Sequence, residues 1–145
     1  MDNKRLKIVL DTNIFLVSLA SNHSYSWIYD TLIDEKFELC VTNEILTEYD
    51  EIISSRYGID TSLPLLEGLT FLPNIHLITP YYRWQLLDDE DDNKFVDCAV
   101  AGNVDFIVSN DRGFNKLKSI DFPPIRLLDF EAFEKQYKIH LVEGT

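Results

Sequence analysis

The stretch Leu6-Lys7-Ile8-Val9-Leu10-Asp11-Thr12-Asn13 opens the chain with a short apolar run that ends in an acid. The run is only five residues long and includes two β-branched residues, which predicts a buried strand. Asp11 therefore stands where the first strand ends. In parallel sheets, ligands bind at this carboxyl end of the strands.

Short strand-like runs alternate with longer helix-like runs along the rest of the chain. The predicted strands are Leu6–Leu10, Phe37–Val41, Ile75–Ile78, Phe106–Ser109 and Ile125–Leu128. The predicted helices are Ile14–Ala20, Tyr25–Lys36, Asn43–Arg56 behind an N-cap at Thr42, Ser62–Leu72 with Pro64 in its first turn, Asp92–Gly102 and Asp129–Tyr137. This order predicts one α/β domain over residues 1–145, with three α/β/α layers and a mainly parallel central sheet.

Composition narrows the class of protein. The chain has 145 residues, 46% of them hydrophobic, and enough aromatic residues to argue against disorder. Its net charge of −12 argues against binding nucleic acid through a basic surface. The acidity fits a basic partner, carboxylates that need a cation, or a device for solubility. Cys40 and Cys98 lie in apolar runs and are expected to be small core residues.

No stretch approaches the roughly 20 apolar residues of a membrane span, so we expect a cytoplasmic protein without membrane association. Phosphate-cradling glycine motifs are also missing from the sequence. His23, His76 and His140 have no recognisable nucleophile context and are expected at the surface or at an edge.

Four acids occupy positions that favour chemistry. Asp11 and Asp111 each follow a predicted strand, although an N-cap and a turn residue are the ordinary alternatives. The predicted apolar stripe of the helix Asn43–Arg56 consists of Ile45, Tyr49, Ile52 and Ile53, and Glu48 lies on or beside it. Asp92 extends the apolar stripe of the helix Asp92–Gly102 at its first turn. Converging carboxylates repel one another, so such a site implies an oxygen-coordinated cation such as Mg²⁺ or Mn²⁺. Such an ion activates water and stabilises charge on a phosphoryl group.

The ordered motifs around these acids resemble those of PIN domains. The matching segments are Leu10–Asn13, Thr42–Tyr49, Asp89–Ala99 and Asp105–Asp111, and the likeness runs from about Leu6 to Phe133. The acidic run before Lys94-Phe95 resembles the toxin–antitoxin branch of the family.

The resemblance implies a Mg²⁺- or Mn²⁺-dependent ribonuclease that hydrolyses RNA, often a homodimer and often paired with an antitoxin protein. An RNA-processing role, or an RNA- or protein-binding module with weak or no catalysis, is the alternative. The resemblance makes Asp11, Glu48, Asp92 and Asp111 the metal ligands and catalytic residues. Asn13, Ser109 and Asp97 take auxiliary positions. Asp89, Asp91 and Asp97 are close rivals to Asp92 for the third acid.

Cations and aromatic residues near these motifs offer routes for RNA binding. Lys94 and Arg112, with Lys116 and Lys118, flank the third and fourth motifs and could hold phosphates, or could be ordinary surface charges. Tyr81, Tyr82 and Trp84 could stack bases, but we expect them to be buried against the sheet.

Overall fold

A computed structural model describes residues 5–144, and these build a parallel sheet wrapped by helices. The strands are β1 (Lys7–Leu10), β2 (Glu38–Val41), β3 (Ile75–Leu77), β4 (Phe106–Val108) and β5 (Leu127–Leu128). Their order across the sheet is β3-β2-β1-β4-β5, and every pairing is parallel. The predicted α/β class and parallel sheet are confirmed.

Helices cover both faces of this sheet. Successive strand residues point to opposite faces, yet Phe106, Ile107 and Val108 are all 0% exposed. The three layers follow from that burial. The helices are α1 (Thr12–Ser18), α2 (Ser26–Ile33), α3 (Asn43–Tyr57), α4 (Ile59–Thr70), α5 (Asn93–Ala101) and α6 (Phe130–Glu143), with 3₁₀ segments at Glu90–Asp92 and Arg112–Ser119.

Two helix starts show how far local signals reach. The predicted cap at Thr42 is confirmed, because its hydroxyl accepts from the Ile45 amide at 3.1 Å. The predicted start of α4 at Ser62 is wrong, since the helix begins at Ile59 and places Pro64 in its interior. Ser62 is buried instead, and its hydroxyl donates to Asp50 at 2.6 Å.

The apolar core is continuous across the described residues. Both cysteines lie in it as free thiols, as predicted. Burial raises the pKa of the Cys40 thiol to about 11, which keeps it protonated and unreactive. Within residues 5–144, no helix is long and apolar enough to cross a membrane.

Candidate metal centre

Asp11 and Asp111 lie at the same edge of the sheet because β1 and β4 are neighbouring parallel strands. Leu10 pairs with Val108, and the Asp11 amide donates to the Val108 carbonyl at 3.0 Å. Asp11 directly follows β1, and Asp111 comes shortly after β4, which ends at Val108. The strand-then-acid pattern therefore placed both residues correctly.

Ser109 links these two aspartates. Its hydroxyl donates to Asp11 Oδ2 at 2.7 Å and accepts from the Asp111 amide at 3.0 Å. Ser109 is only 3% exposed, so the buried hydroxyl has both of these partners fixed. These two hydrogen bonds restrict the orientation of the Asp11 carboxylate and the conformation of the turn that leads to Asp111.

The Asp11 carboxylate is buried, and hydrogen bonds offset part of the cost of burying its charge. Burial is the main cause that raises its pKa. Hydrogen bonds from Ser109 and from the Thr12 amide, the latter at 2.8 Å, lower it again. The charges of Asp111 and Glu48 add to the rise, which shows that these acids share one electrostatic environment.

Asp92 closes the 3₁₀ segment before α5 and joins this environment. Burial, followed by the charges of Asp111, Asp89 and Asp11, raises its pKa to about 6. Its predicted place in the first turn of the helix is off by one residue, since α5 begins at Asn93. Of its rivals, Asp89 uses its carboxylate to cap the Asp91 amide at 3.0 Å, and Asp91 is exposed.

Gly113 leaves room between two of these carboxylates. A Cβ on this residue would stand 3.2 Å from Asp92 Oδ2 and 3.4 Å from Asp111 Oδ1. Both oxygens thus border the same small space. Any side chain here would fill the gap between them.

Glu48 reaches the same edge from α3. The buried stripe of that helix is Ile45, Tyr49 and Ile53, whereas Ile52, expected on the stripe, is 37% exposed. Glu48 lies half-buried beside the stripe. Its Oε2 accepts from the Thr12 hydroxyl, and its Oε1 pairs with the Lys94 ammonium at 2.7 Å.

The two cations assigned to phosphate binding lie in different settings. The Lys94 side chain is only 12% exposed and also donates to the Asp91 carbonyl at 2.5 Å. We call Asp11, Glu48, Asp92 and Asp111 the acid cluster. The Lys94 ammonium points toward its member Glu48 rather than into solvent. Arg112 is exposed in the 3₁₀ segment that follows Asp111.

Asp97 lies apart from the four acids. It is 5% exposed and accepts from the Trp84 amide at 2.9 Å. Burial raises its pKa, and the Trp84 hydrogen bond and the charge of Arg83 lower it. The residue fastens the segment between β3 and α5 to the helix.

A cleft of about 450 Å³ opens beside Asp11 and Asp111. Asn13, His23, Tyr25 and Asn110 contribute to its walls, as do Ile14 and Val17. Sequence reasoning missed His23, Tyr25 and Asn110. Asn110 directly precedes Asp111, so its position after a strand was a usable signal. His23 and Tyr25 come from the turn before α2, where no local pattern points toward a strand end.

The cleft residues hold one another in place. The Tyr25 ring stacks on Phe130 with centroids 3.6 Å apart. The Tyr25 hydroxyl accepts from the side-chain amide of Asn110 at 2.8 Å. His23 Nδ1 accepts from the Tyr25 amide at 3.2 Å. The other histidines lie elsewhere: His76 pairs with Glu38 on the sheet, and His140 is exposed on α6.

The donor set of this edge suits a divalent cation. Asp11, Asp92 and Asp111 supply oxygen only. Burial, followed by the charges of neighbouring acids, raises the pKa of Asp11 and Asp92, and a cation would relieve that repulsion. The space at Gly113 lies between Asp92 and Asp111. As they stand, no three His, Cys, Asp or Glu side chains of residues 5–144 form a ready-made ion site. Binding of a metal ion here would therefore require side chains to move, above all that of Glu48, whose two carboxylate oxygens already have partners.

Comparison with known proteins agrees with this architecture. A family model described as "PIN domain" matches residues 7–113. An uncharacterized protein of Methanocaldococcus jannaschii is 28% identical over 150 aligned positions, which cover all of this chain and 90% of the relative.

Solved structures with the same fold are VapBC assemblies. VapBC2 of Rickettsia felis, bound to a DNA fragment from its promoter, has a TM-score of 0.61 at 16% identity and covers 86% of this chain and 99% of its own. VapBC-1 of nontypeable Haemophilus influenzae gives 0.59 at 13%, and DNA-bound VapBC of Salmonella typhimurium gives 0.58 at 17%; each covers 86% of this chain and 98% of its own.

Proposed function

The chain belongs to the PIN domain family, and from that premise we propose that it is a metal-dependent endoribonuclease that hydrolyses RNA phosphodiester bonds. One observation carries the proposal. Three carboxylates, those of Asp11, Asp92 and Asp111, lie together at the carboxyl edge of the sheet, where burial and the charge of Asp111 raise the pKa of both Asp11 and Asp92. The repulsion among neighbouring carboxylates is costly without a cation, so such an arrangement is suited to an ion.

In this proposal Asp11, Asp92 and Asp111 hold Mg²⁺ or Mn²⁺ through carboxylate oxygens. Glu48 joins them when its carboxylate leaves Lys94. A bound divalent ion supplies Lewis-acid chemistry, activating water and stabilising negative charge on the phosphoryl group.

The chain's own residues prepare the site for that ion and for the substrate. Ser109 and the Thr12 amide fix both oxygens of Asp11, so the buried carboxylate needs no reorientation. Thr12 also fixes Glu48 through its hydroxyl. Arg112, exposed beside Asp111, is placed to meet a phosphate, and Asn13 and Asn110 offer polar groups from the cleft.

A toxin role within a toxin–antitoxin pair is the more specific proposal. The fold shared with VapBC toxin–antitoxin assemblies supports it. An antitoxin protein and a second copy of this chain are the proposed partners, in the cytoplasm. A reading frame for a small antitoxin next to the gene would support this role, and a gene neighbourhood of RNA-maturation factors would count against it.

An RNA- or protein-binding module is the second candidate, and the Lys94–Glu48 pair favours it. The Lys94 ammonium already neutralises one acid of the cluster without a metal. Calorimetry separates the two functions, because a module of this kind would show no binding of Mn²⁺.

The direct test is cleavage of single-stranded RNA with Mn²⁺ or Mg²⁺, with and without chelator, beside a panel of DNA and small phosphate esters. Asp11→Asn should reduce cleavage by about 100-fold, since it removes charge from a proposed ligand. Asp60→Asn, at an exposed acid of α4, is the matched control and should retain activity. Equal activity of Asp11→Asn and the unmodified chain would disprove the assignment.

A further inference from the structure

Aromatic side chains project into solvent from the segment that connects β3 to α5. Tyr81 is 96% exposed and Tyr82 is 63% exposed, so their expected burial against the sheet is wrong. Trp84 is half-buried. Phe122, from the segment before β5, is 74% exposed beside them. Large exposed rings in one place indicate a binding surface rather than a core.

Three of these rings form a contiguous set. The centroids of Tyr82 and Trp84 are 4.6 Å apart, and those of Trp84 and Phe122 are 5.8 Å apart. Both pairs meet edge to face. We call Tyr82, Trp84 and Phe122 the aromatic surface. It joins two segments that are far apart in the sequence.

The backbone beneath the aromatic surface is fastened at two points. Asp97, buried in α5, accepts from the Trp84 amide at 2.9 Å. Asn93 pairs with the Leu87 backbone in both directions, at 2.9 Å and 3.2 Å. A buried carboxylate is costly without a partner, so Asp97 is a positioning residue for this segment. The exposed rings are therefore held in place rather than carried on a loose loop.

The aromatic surface is continuous with the acid cluster. Arg83 lies between Tyr82 and Trp84 in the sequence and shares a small cavity with Lys94 and Asp97. Lys94 in turn contacts Glu48. The same segment then runs on to Asp92. The aromatic surface and the candidate metal centre are therefore linked through Arg83 and Lys94.

The charge of the chain disfavours contact with phosphates, so a nucleic acid bound here would be held through its bases. The chain carries a net charge of −12 and 13 lysine and arginine residues against 25 acids. It offers few cations to neutralise a phosphate backbone. Bases are neutral and flat, and they stack on aromatic rings without regard to sequence. The guanidinium of Arg83 is exposed and pairs with Glu44 at 3.4 Å, and a group of this kind can stack on a base or contact a phosphate.

We propose that Tyr82, Trp84 and Phe122 form a stacking surface for the unpaired bases of a single-stranded RNA that leads into the acid cluster. The inference rests on the proposed ribonuclease function and assigns a binding site to the unpaired bases of its substrate. Binding on this surface depends on bases more than on phosphates. Added salt screens the repulsion between the acidic chain and the phosphates, so the affinity should not fall steeply with salt.

The test compares two fluorescent probes of equal length, a single-stranded RNA and an abasic ribose-phosphate oligomer. Anisotropy is measured in Ca²⁺, with a gel that verifies intact probe. Tyr82→Leu and Phe122→Leu keep apolar bulk but remove a ring, and each should weaken RNA binding by about five- to fifty-fold while leaving the abasic probe unchanged. Phe71→Leu, at a residue 84% exposed at the end of α4, is the matched control and should bind like the unmodified chain.

Tryptophan fluorescence gives a second reading on the unmodified protein. Trp27 is 7% exposed, so quenching on addition of RNA would report on Trp84, and Trp84→Phe should remove it. Unchanged RNA affinity in both leucine variants would overturn the proposal and leave the rings to a protein partner. Loss of affinity in those variants, in a protein that cleaves no RNA with Mn²⁺, would support the stacking surface while disproving the ribonuclease.

Discussion

The Lys94 ammonium lies 2.7 Å from Glu48 Oε1, inside the group of acids that is proposed to bind metal. A protein cation thus occupies the position where a divalent ion would draw on Glu48. In the proposed site the two cations would compete for one carboxylate. We therefore expect this pair to affect both the stability of the metal-free protein and the affinity of the site for metal.

Replacing Lys94 should lower the stability of the metal-free protein and raise its affinity for Mn²⁺. Lys94→Met leaves Glu48 half-buried without its partner, which should lower the free energy of unfolding in chelator by about 1–3 kcal/mol. The same change should tighten Mn²⁺ binding, because it removes the competing charge. Urea denaturation and calorimetry measure the two effects.

Lys116→Met is the control for this variant. Its pair with Asp88 is exposed, at 51% and 94% for the two side chains, and is expected to contribute only about 0–1 kcal/mol. A Lys94→Met protein as stable as the unmodified chain would contradict the role of the pair.

The hydroxyl of Ser109 should be measurable through the acid that it contacts. Ser109→Ala removes a donor from Asp11 and an acceptor from the Asp111 amide, at a residue 3% exposed. We expect a loss of about 1–2 kcal/mol in unfolding free energy and a further rise in the pKa of the Asp11 carboxyl, followed by NMR. Ser119→Ala removes an exposed hydroxyl that only meets the Lys116 carbonyl, and it should change neither quantity.

The space at Gly113 should be needed for metal rather than for folding. In Gly113→Ala the new methyl group would press on Asp92 Oδ2 and Asp111 Oδ1. We expect Mn²⁺ affinity to fall by about tenfold, with little change in the urea midpoint, because both contacts are with side-chain ends. Gly68→Ala has open space around it, and there the helix should gain about 0.5–1 kcal/mol. Unaltered Mn²⁺ affinity in Gly113→Ala would place the ion elsewhere.

The stability of the metal-free protein should depend on pH with a sign set by Asp92. Its folded pKa of about 6 lies above the ordinary value of 3.8, so the folded state holds the proton more tightly than the unfolded state. The contribution is fully present below about pH 4 and is lost as the pH rises through about 6. Asp11, with its pKa also raised, acts in the same direction. In chelator, the stability of Asp92→Asn relative to the unmodified chain should therefore rise between about pH 4 and pH 6. A relative stability that falls over this range would contradict the burial and repulsion argued for this acid.

Sequence patterns predicted those site residues whose positions are fixed by the ends of strands. Asp11 and Asp111 were placed because the end of a parallel strand fixes the position of the next residue. Thr42 was recognised as a cap because capping is local. These features depend on a few neighbouring residues, so one sequence suffices to see them.

Features set by distant contacts were not predictable in the same way. Lys94 turns inward because Glu48, 46 positions earlier, is there to receive it. Tyr81 and Tyr82 project outward although aromatic residues beside an apolar strand are commonly buried. The 3₁₀ segment Arg112–Ser119 has too few apolar residues to register as a helix, and only Phe114 and Leu117 anchor it in the core.

The position of β4 between β1 and β5 also governs when the acid site can exist. Asp11 is synthesised near the start of the chain, but its hydrogen-bond partner Ser109 comes 98 residues later. Domains fold as units while the ribosome adds residues one at a time. Until most of the chain has been made, Asp11 lacks Asp92, Ser109 and Asp111. A nuclease of this topology would therefore remain inert toward the message that encodes it for most of its own translation.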